Sequence, residues 1–255
     1  MKNLKIILSI ILSSILVFSA CKDDNNVTPD EHDKIYNGDL INPSSSELQS
    51  FYENEYNIIN GDVKFKRMHG LTNIMPLSNV EVINGSLILK YNYDLLSLEG
   101  LSNLTSVGGY IMISNNDTLE ADKGLSKLTS VGGGLVIEFN DAFENLNNLS
   151  SLESIDGALE IYGNVALENI DGLNALSSVG GSIRFNSNYT LLNIDGLSNL
   201  TSVGGFVDIS YNYLLSDFCG IKNILTIDGV DGMVAIFDNP YNPTPEDIIA
   251  GNCSQ

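Results

Sequence analysis

Histidine and cysteine are the side chains best suited to nucleophilic catalysis and zinc binding, and this chain has few of them. Its 255 residues include two histidines and three cysteines. A covalent mechanism needs a nucleophile, a base that activates it and a group that orients the base. His69 is the one histidine inside the predicted folded region, since His32 precedes it, and a zinc site needs several such ligands. We therefore predict no catalytic residue, no metal site and no cofactor.

Carboxylates are more plentiful, and many recur at a fixed interval of 24 residues. Three sets share this spacing: Asp117 and Asp141; Glu120, Glu144 and Glu168; Asp171 and Asp195. If the interval reflects a structural repeat, the members of each set stack on one another, and a bridging calcium ion is one interpretation. We favour the alternative that these side chains point into water, where like charges are well screened.

The interval belongs to an internal repeat that runs through most of the chain. Its clearest sign is an uninterrupted series with a spacing of 24: Leu77, Leu101, Leu125, Leu149, Leu173, Leu197 and Ile221. Numbered from that residue, each unit is apolar at positions 1, 4, 7, 11, 13 and 19, with glycine at position 9 and asparagine at position 16. A partial earlier unit (Gly61, Val63, Phe65) and a last unit with three extra residues bring the total to about eight coils.

The alternation at positions 10 to 14 predicts a short strand whose positions 11 and 13, such as Ile111 and Ile113, point inward. Successive strands should stack in parallel with right-handed crossovers, so that neighbouring coils bury a shared core. We expect the glycine where a Cβ would block close approach. We expect the asparagine to point inward and bond the backbone of neighbouring coils; a ligand-gripping row of asparagines is the alternative.

The N-terminus has the features of a bacterial export signal. Lysines precede an apolar run from Ile6 to Phe18 that is too short to span a bilayer. The small residues Ser19 and Ala20 then precede Cys21, an order that resembles the lipobox of bacterial lipoproteins, whose cysteine is diacylated; Phe18 departs from it, because leucine is usual there. Lys22 to Asp24 resembles the short signal that sends some lipoproteins to the outer face of the outer membrane.

These features divide the chain into a lipoprotein signal peptide at residues 1–20, a flexible acidic tether at 21–44 and a repeat domain at 45–255. The tether is rich in Asp, Asn, Pro and Ser, so it lacks the apolar area needed to offset the entropy of ordering. Lipid on Cys21 would anchor the protein in the outer membrane, with the domain at the cell surface. The net charge of −20 opposes contact with phosphate backbones, so we expect no nucleic-acid partner.

Both ends of the repeat domain carry signals for short capping helices. Residues 45–51 have the composition of a capped helix, and Thr244 to Asp247 combine an N-cap, a first-turn proline and acidic residues. Cys219 and Cys253 lie on either side of this second helix. In an oxidising compartment we predict a disulfide between them, and two free buried thiols are the alternative.

The repeats resemble those of a known protein family. The segment from Val107 to Asn116, VGGYIMISNN, is similar to the repeats of receptor L-domains, leucine-rich solenoids of growth-factor receptors and bacterial surface proteins. The resemblance covers about residues 45–255. It implies a mainly β fold, a right-handed parallel β-solenoid of about eight 24-residue coils with short helices at both ends. It also implies a binding module, without naming its partner.

Parallel β-helix enzymes that act on acidic polysaccharides are the enzymatic alternative, because they share coils of this length and asparagine ladders. Their active sites need cleft walls, which come from long insertions at the turns. Here six successive units have no insertion, and the chain has only 12 lysines and arginines to hold an anionic substrate. We therefore predict that the protein is not an enzyme.

The outward strand positions carry the predicted ligand-binding residues. Position 12 is apolar in three successive units, at Ile88, Met112 and Val136, and Tyr110 adds an aromatic ring at position 10. Exposed apolar patches mark partner sites, so we predict that these four residues bind a protein or carbohydrate ligand. The alternatives are that another segment covers the stripe or that its exposure is scattered.

A second aromatic group lies at the turn after each strand: Tyr91, Tyr93, Tyr189, Tyr211 and Tyr213. Such rings stack on sugars, but they also seal solenoid turns. The predicted function is a lipid-anchored binding or adhesion module of the cell surface. A passive scaffold or spacer in a surface assembly is the alternative.

Overall fold

Two parallel β-sheets, each receiving one strand from successive coils, organise the protein. The computed structural model describes residues 33–120 and 124–255, within a unit that extends from Asp33 to Gln255. The predicted signal peptide, Cys21 and His32 lie outside the described residues. In the described part of the chain, no helix is long and apolar enough to cross a membrane.

Within residues 33–120 and 124–255, the larger sheet contains nine strands in the order of the coils. They are β2 (Leu40–Ile41), β4 (Val63–Lys66), β6 (Leu87–Lys90), β8 (Ile111–Ser114), β10 (Leu135–Glu138), β12 (Leu159–Tyr162), β14 (Ile183–Asn186), β16 (Val207–Ser210) and β17 (Val234–Phe237). Leu87 pairs with Ile111, and Ile111 with Leu135, so the register follows the repeat. The last pair, Val207 with Val234, accommodates the three extra residues of the last unit. The predicted parallel β-solenoid is confirmed.

The smaller sheet contains, in the same described ranges, eight strands of two residues each. They are β1 (Ile35–Tyr36), β3 (Ile58–Ile59), β5 (Val82–Ile83), β7 (Ser106–Val107), β9 (Ser130–Val131), β11 (Ser154–Ile155), β13 (Ser178–Val179) and β15 (Ser202–Val203). The sequence predicts the apolar residue at position 7 but not this sheet, because two residues are too few for an alternation to be visible.

A third side of the coils is made of short 3-10 helices: Met75–Leu77, Glu99–Leu101, Asn147–Leu149, Asp171–Leu173, Asp195–Leu197 and Cys219–Ile221. Most of them contain a central glycine, whose role was not predicted from the sequence. A Cβ on Gly172 would lie 1.7 Å from the carbonyl oxygen of Leu146 in the preceding coil. In the coils that carry this glycine, the backbones approach each other more closely than a Cβ would allow. Asn148 occupies this position in one coil, and its buried Oδ1 has no hydrogen-bond partner among the described residues.

The interior is filled by the inward strand positions and the leucines of the turns. Ile111 and Ile113 are fully buried, and Leu135 and Ile137 are at most 1% exposed. At position 9, a Cβ on Gly133 would lie 2.8 Å from the backbone of Gly109. Both the predicted inward register and the predicted role of the position 9 glycine are therefore confirmed.

A ladder of buried asparagines runs along the turn that follows the larger sheet. The backbone N–H of Asn116 donates to Oδ1 of Asn140 at 3.1 Å, and Nδ2 of Asn116 donates to the carbonyl of Leu89 at 3.0 Å. The same pattern repeats at Asn92, Asn140, Asn164, Asn188 and Asn212. At Asn239 the Nδ2 bond is kept, while the backbone N–H donates to Oδ1 of Asn242. The amides thus satisfy backbone groups that burial would leave unpaired, as predicted.

Helix α1 (Ser45–Glu53) stands in the first coil, beside the N-terminal end of the solenoid. Ser44 is its N-cap and forms a capping box with Glu47, while Leu48 and Phe51 turn into the core. The Glu47 pKa is lowered by hydrogen bonds from the Ser44 backbone and side chain. Capping, an acidic first turn and an apolar face together explain why a helix forms here.

The folded unit begins earlier than the predicted boundary at residue 45. The sequence places residues 33–44 in the tether, whereas Ile35 pairs with Ile58 and Leu40 pairs with Val63 in the two sheets. The tether was predicted from the average composition of residues 21–44, which is polar. Its few apolar residues nevertheless occupy strand positions, where the next coil supplies both backbone partners and a surface to pack on.

The C-terminal end is closed by helices α2 (Lys222–Thr226) and α3 (Pro245–Ala250), which contact each other. Thr244 caps α3 through Asp247, and Gly251 ends it in the left-handed conformation. Cys219 and Cys253 are joined by a disulfide with a Cα–Cα distance of 5.0 Å. The segment after α3 is thereby tied to the last 3-10 helix.

Candidate functional site

The four predicted ligand-binding residues lie together on the outward face of the larger sheet. Side chains at position 12 form an outer row in which each residue pairs with the next along the solenoid. The row comprises Ile41, Lys64, Ile88, Met112, Val136, Glu160, Arg184, Asp208 and Ala235. This row is the consequence of a period-two strand repeated in register, since alternate side chains point to opposite faces.

The middle of the outer row is apolar. Ile88 pairs with Met112, and Met112 pairs with Val136. All three are half-buried, because the strands on both sides shield them, and Tyr110 beside them is 41% exposed. At a strand spacing of about 4.8 Å they form a continuous strip about 10 Å long. The strip is partly accessible to solvent, because no segment among the described residues covers it completely.

Ion pairs limit the strip at both ends. On the N-terminal side, Lys64 Nζ lies 2.6 Å from Asp62 Oδ2. Their hydrogen bond raises the pKa of Lys64 and lowers the pKa of Asp62. On the C-terminal side, Glu160 pairs with Arg184. An apolar centre with a polar rim is the usual anatomy of a protein interface.

A second outward row, at position 14, is mostly polar: Lys66, Lys90, Ser114, Glu138, Tyr162, Asn186, Ser210 and Phe237. Between the two rows lies a groove of about 220 Å³. It is lined by Val136, Glu138, Glu160, Tyr162, Arg184 and Asn186. This groove could not be predicted from the sequence, because its walls come from three coils and from two different positions of the repeat. Opposite charges at position 12 of adjacent units, Glu160 and Arg184, were the available signal.

The tyrosines of the turn form a separate ridge. Tyr189 and Tyr213 stack with ring centroids 5.0 Å apart and planes 5° apart, and they are 43% and 56% exposed. Tyr91 and Tyr93 are less regular, with centroids 6.4 Å apart. The stacked pair is too exposed to fill the interior, and it lies at the turn that follows the strand rather than on the strand face.

The stacked carboxylates influence one another electrostatically. Partial burial raises the pKa of Asp117, and the neighbouring Asp141 raises it further. Burial raises the pKa of Asp195 in the same way, with smaller contributions from Asp217 and Asp171. In both cases burial is the larger cause, and the neighbouring carboxylates further disfavour the charged form.

Among the described residues, these repeated carboxylates do not come together in a group of three metal-ligand atoms. Three ligand atoms of His, Cys, Asp or Glu lie within 4.8 Å of one another in one place there, at Asp217, Cys219 and Cys253. The two sulfurs of that group are bonded to each other and are not thiolate ligands. For the same reason neither cysteine is a nucleophile, and His69 is an exposed residue near the N-terminal end.

Comparison with known families supports the resemblance to receptor L-domains. Residues 127–205 match the model of the family described as Receptor L domain. This segment contains β10, β12 and β14, which carry Val136 and the groove. No curated protein matches the chain. Over these residues the match supports a receptor L-domain, a family of ligand-binding modules.

Proposed function

We propose that the protein is a lipid-anchored module of the bacterial outer membrane that binds a protein or carbohydrate partner at the cell surface. The partner would lie on the strand face over Ile88, Tyr110, Met112 and Val136. The match to the receptor L-domain family supports the binding role, and the signal-like N-terminus supports the anchor.

The apolar strip in the outer row carries the proposal. The chain has a net charge of −20, and charged residues occupy the same row on both sides of the strip, at Lys64 and Glu160. Outward positions of this sheet therefore accept charge without loss of the fold. Three successive coils that instead expose Ile88, Met112 and Val136 retain an apolar surface that the core does not require.

The apolar strip is too small to bind a partner by itself, so residues around it must contribute to the affinity. Each 100 Å² of apolar area removed from water contributes about 2.5 kcal/mol, whereas association costs about 4–15 kcal/mol. Three half-buried side chains do not offset that cost alone. Tyr110 and the ion pairs at both ends would supply the additional contacts, as in interfaces with a few dominant residues.

The experiment begins with residues 22–255 immobilised and exposed to surface extracts of bacterial and host cells. Retained partners are identified by mass spectrometry, and their affinities are then measured for the parent and for a Met112→Lys, Val136→Glu variant. We expect at least a tenfold loss of affinity, because a charged pair replaces the apolar centre.

The matched control is a Ser106→Lys, Ser130→Glu variant. These serines pair with each other in the same two coils, on the smaller sheet, and the substitutions introduce the same charges. We expect the control to bind like the parent. Undiminished binding by the Met112→Lys, Val136→Glu variant, with an unchanged melting temperature, would move the site to the tyrosine ridge. Equal losses in both variants would indicate an unspecific charge effect and contradict the proposed site.

A further inference from the structure

We infer that the groove beside the apolar strip binds one ring of a neutral sugar. The groove is lined by Val136, Glu138, Glu160, Tyr162, Arg184 and Asn186. The inference rests on the proposed function that this face binds a ligand, and it names the ligand class. Of the predicted binding residues, only Val136 belongs to both sites.

The charges of the groove are already balanced by the protein itself. Lys90 Nζ lies 3.6 Å from Glu138 Oε1, and Arg184 pairs with Glu160. All four side chains keep contact with water, so neither pair is sealed off from a ligand. A charged ligand would lie beside a like charge of each pair, and an anion would also meet the field of a chain with net charge −20. The balance favours an uncharged polar ligand.

The same pairs leave hydrogen-bonding capacity for hydroxyl groups. Glu160 meets Arg184 through one carboxylate oxygen and one terminal nitrogen. Among the described residues, the second oxygen of Glu160 and the other guanidinium nitrogens of Arg184 make no further hydrogen bond. A carboxylate accepts while a guanidinium donates. Neighbouring hydroxyls on a sugar ring do both, so one ring can bridge the two groups.

Tyr162 supplies an apolar surface for the carbon–hydrogen side of the ring. It is 39% exposed, and Phe139 packs against it edge to face at a centroid distance of 4.9 Å. Phe139 has that place because the neighbouring residue is Gly163, where a Cβ would lie 2.8 Å from the Phe139 ring. Arg184 is held in a similar way, 4.6 Å from the centroid of Phe206. Both groups are positioned before a ligand arrives, which lowers the entropic cost of binding.

The size of the groove sets the extent of the ligand. Its volume of about 220 Å³ is below the range of about 300–1,000 Å³ typical of sites that enclose drug-sized molecules. One hexose ring fits this space, and a longer glycan would continue over the open sheet. Continuation toward Met112 would bring the next residue of the glycan onto the apolar strip.

The test uses residues 22–255 and a panel of methyl hexopyranosides, with glucuronic acid as the charged counterpart. Binding is measured by saturation-transfer NMR and by titration of the protein amide signals. We expect at least one neutral glycoside to bind with a dissociation constant on the order of 1 mM, as suits so small a ligand. Glucuronic acid should bind at least tenfold more weakly. Shifted amide signals should map to β10, β12 and β14.

Variants then assign the groove. Tyr162→Ala and Glu160→Gln should each weaken glycoside binding at least tenfold, whereas Tyr213→Ala, on the exposed turn ridge, should leave it unchanged. No binding of any neutral glycoside at about 100 mM, two orders above the expected constant, would overturn the inference. So would equal binding of glucuronic acid, or full binding by the Tyr162→Ala variant with an unchanged melting temperature.

The two proposals fail in different ways. If no glycoside binds, but a captured partner still loses affinity for the Met112→Lys, Val136→Glu variant, the sugar site is wrong and the proposed function stands. If glycosides bind at Tyr162, but the captured partner binds the Met112→Lys, Val136→Glu variant as tightly as the parent, the sugar site stands and the proposed binding role of the strip is wrong.

Discussion

Val136 and Ile137 are neighbours in β10, yet their side chains lie in opposite environments. Ile137 is 1% exposed in the core, while Val136 stands in the outer row between Met112 and Glu160. Ile137→Asp would place an unpaired charge in the core, and we expect a loss of stability on the order of 4 kcal/mol. Urea unfolding followed by circular dichroism measures this loss.

Val136→Asp is the matched control for that substitution. It adds the same charge one residue away, on the face that already carries Glu160 and Arg184, so we expect a loss of about 1 kcal/mol or less. Some loss is expected because Val136 is half-buried and its new carboxylate would lie beside Glu160. Equal destabilisation by the two variants would contradict the strand register.

Asp195 and Asp247 should give stability opposite dependences on pH. Partial burial raises the pKa of Asp195, with further contributions from Asp217 and Asp171. The folded state therefore disfavours this charge above the raised pKa, and the penalty vanishes below the unfolded value of about 3.9. We expect Asp195→Asn to melt higher than the parent at neutral pH and together with it in acid. The exposure of Asp195 to solvent keeps the effect small.

Asp247 provides the opposite sign. Hydrogen bonds from the side chain and backbone of Thr244 lower the pKa of Asp247. Its charge thus stabilises the fold above the unfolded pKa, and this contribution is lost as pH falls through the lowered value. Asp247→Asn should melt lower than the parent at neutral pH, with a gap that closes on acidification. Melting curves between about pH 2.5 and 7 test both variants, and a shift of the same sign for both would refute the assignment.

Among the strands and turns, the sequence predicted those features in which one residue type recurs at the same position of every repeat. Asn116 and Gly133 belong to such series, so the ladder and the close approach of the coils were visible in advance. The two-residue strands such as β7 were not, because Ser106 and Val107 form a strand only through neighbours 24 residues away. The groove was missed for the same reason, since Glu138 and Asn186 meet only in three dimensions.

The C-terminal cap depends on one covalent link. The disulfide between Cys219 and Cys253 closes a sequence separation of 34 residues, for which the chain-entropy model gives about 3–4 kcal/mol. Around it, the N–H of Phe218 donates to the carbonyl of Cys253 at 2.8 Å, and Asp217 bridges Ser254. We expect a Cys219→Ser, Cys253→Ser variant to lose stability of this order. Its amide exchange should accelerate at residues 245–255.

Urea unfolding and hydrogen exchange measure these effects, and the parent in reductant is the control that should behave like the variant. Mass spectrometry of non-reduced peptides should find the two cysteines joined. Free thiols in freshly isolated protein, or unchanged stability on reduction, would show that packing alone holds α3 in place.

At the scale of the whole molecule, uniform coils separate stability from recognition. Each coil buries its leucines against the next, so the core does not depend on the outward residues of the larger sheet. Those residues consequently vary from Ile88 to Glu160 to Asp208 without a change in the strand. The apolar strip, the groove and the tyrosine ridge thus all lie on the same stack of coils. The acidic residues of the remaining surface favour solubility.

The proposed display of the repeat domain at the cell surface depends on a lipid anchor near the N-terminus. Cys21, outside the described residues, follows an apolar run and two small residues, as in bacterial lipoproteins. A diacylated cysteine supplies two hydrocarbon chains, which is the number needed for stable membrane attachment. We therefore expect labelled palmitate to enter the mature protein and Cys21→Ser to abolish labelling. A Cys219→Ser, Cys253→Ser variant is the control that should remain labelled.

Protease added to intact cells should then remove residues 33–255. Equal labelling of the Cys21→Ser variant would refute the anchor, whereas complete protection of a labelled protein would refute surface display alone.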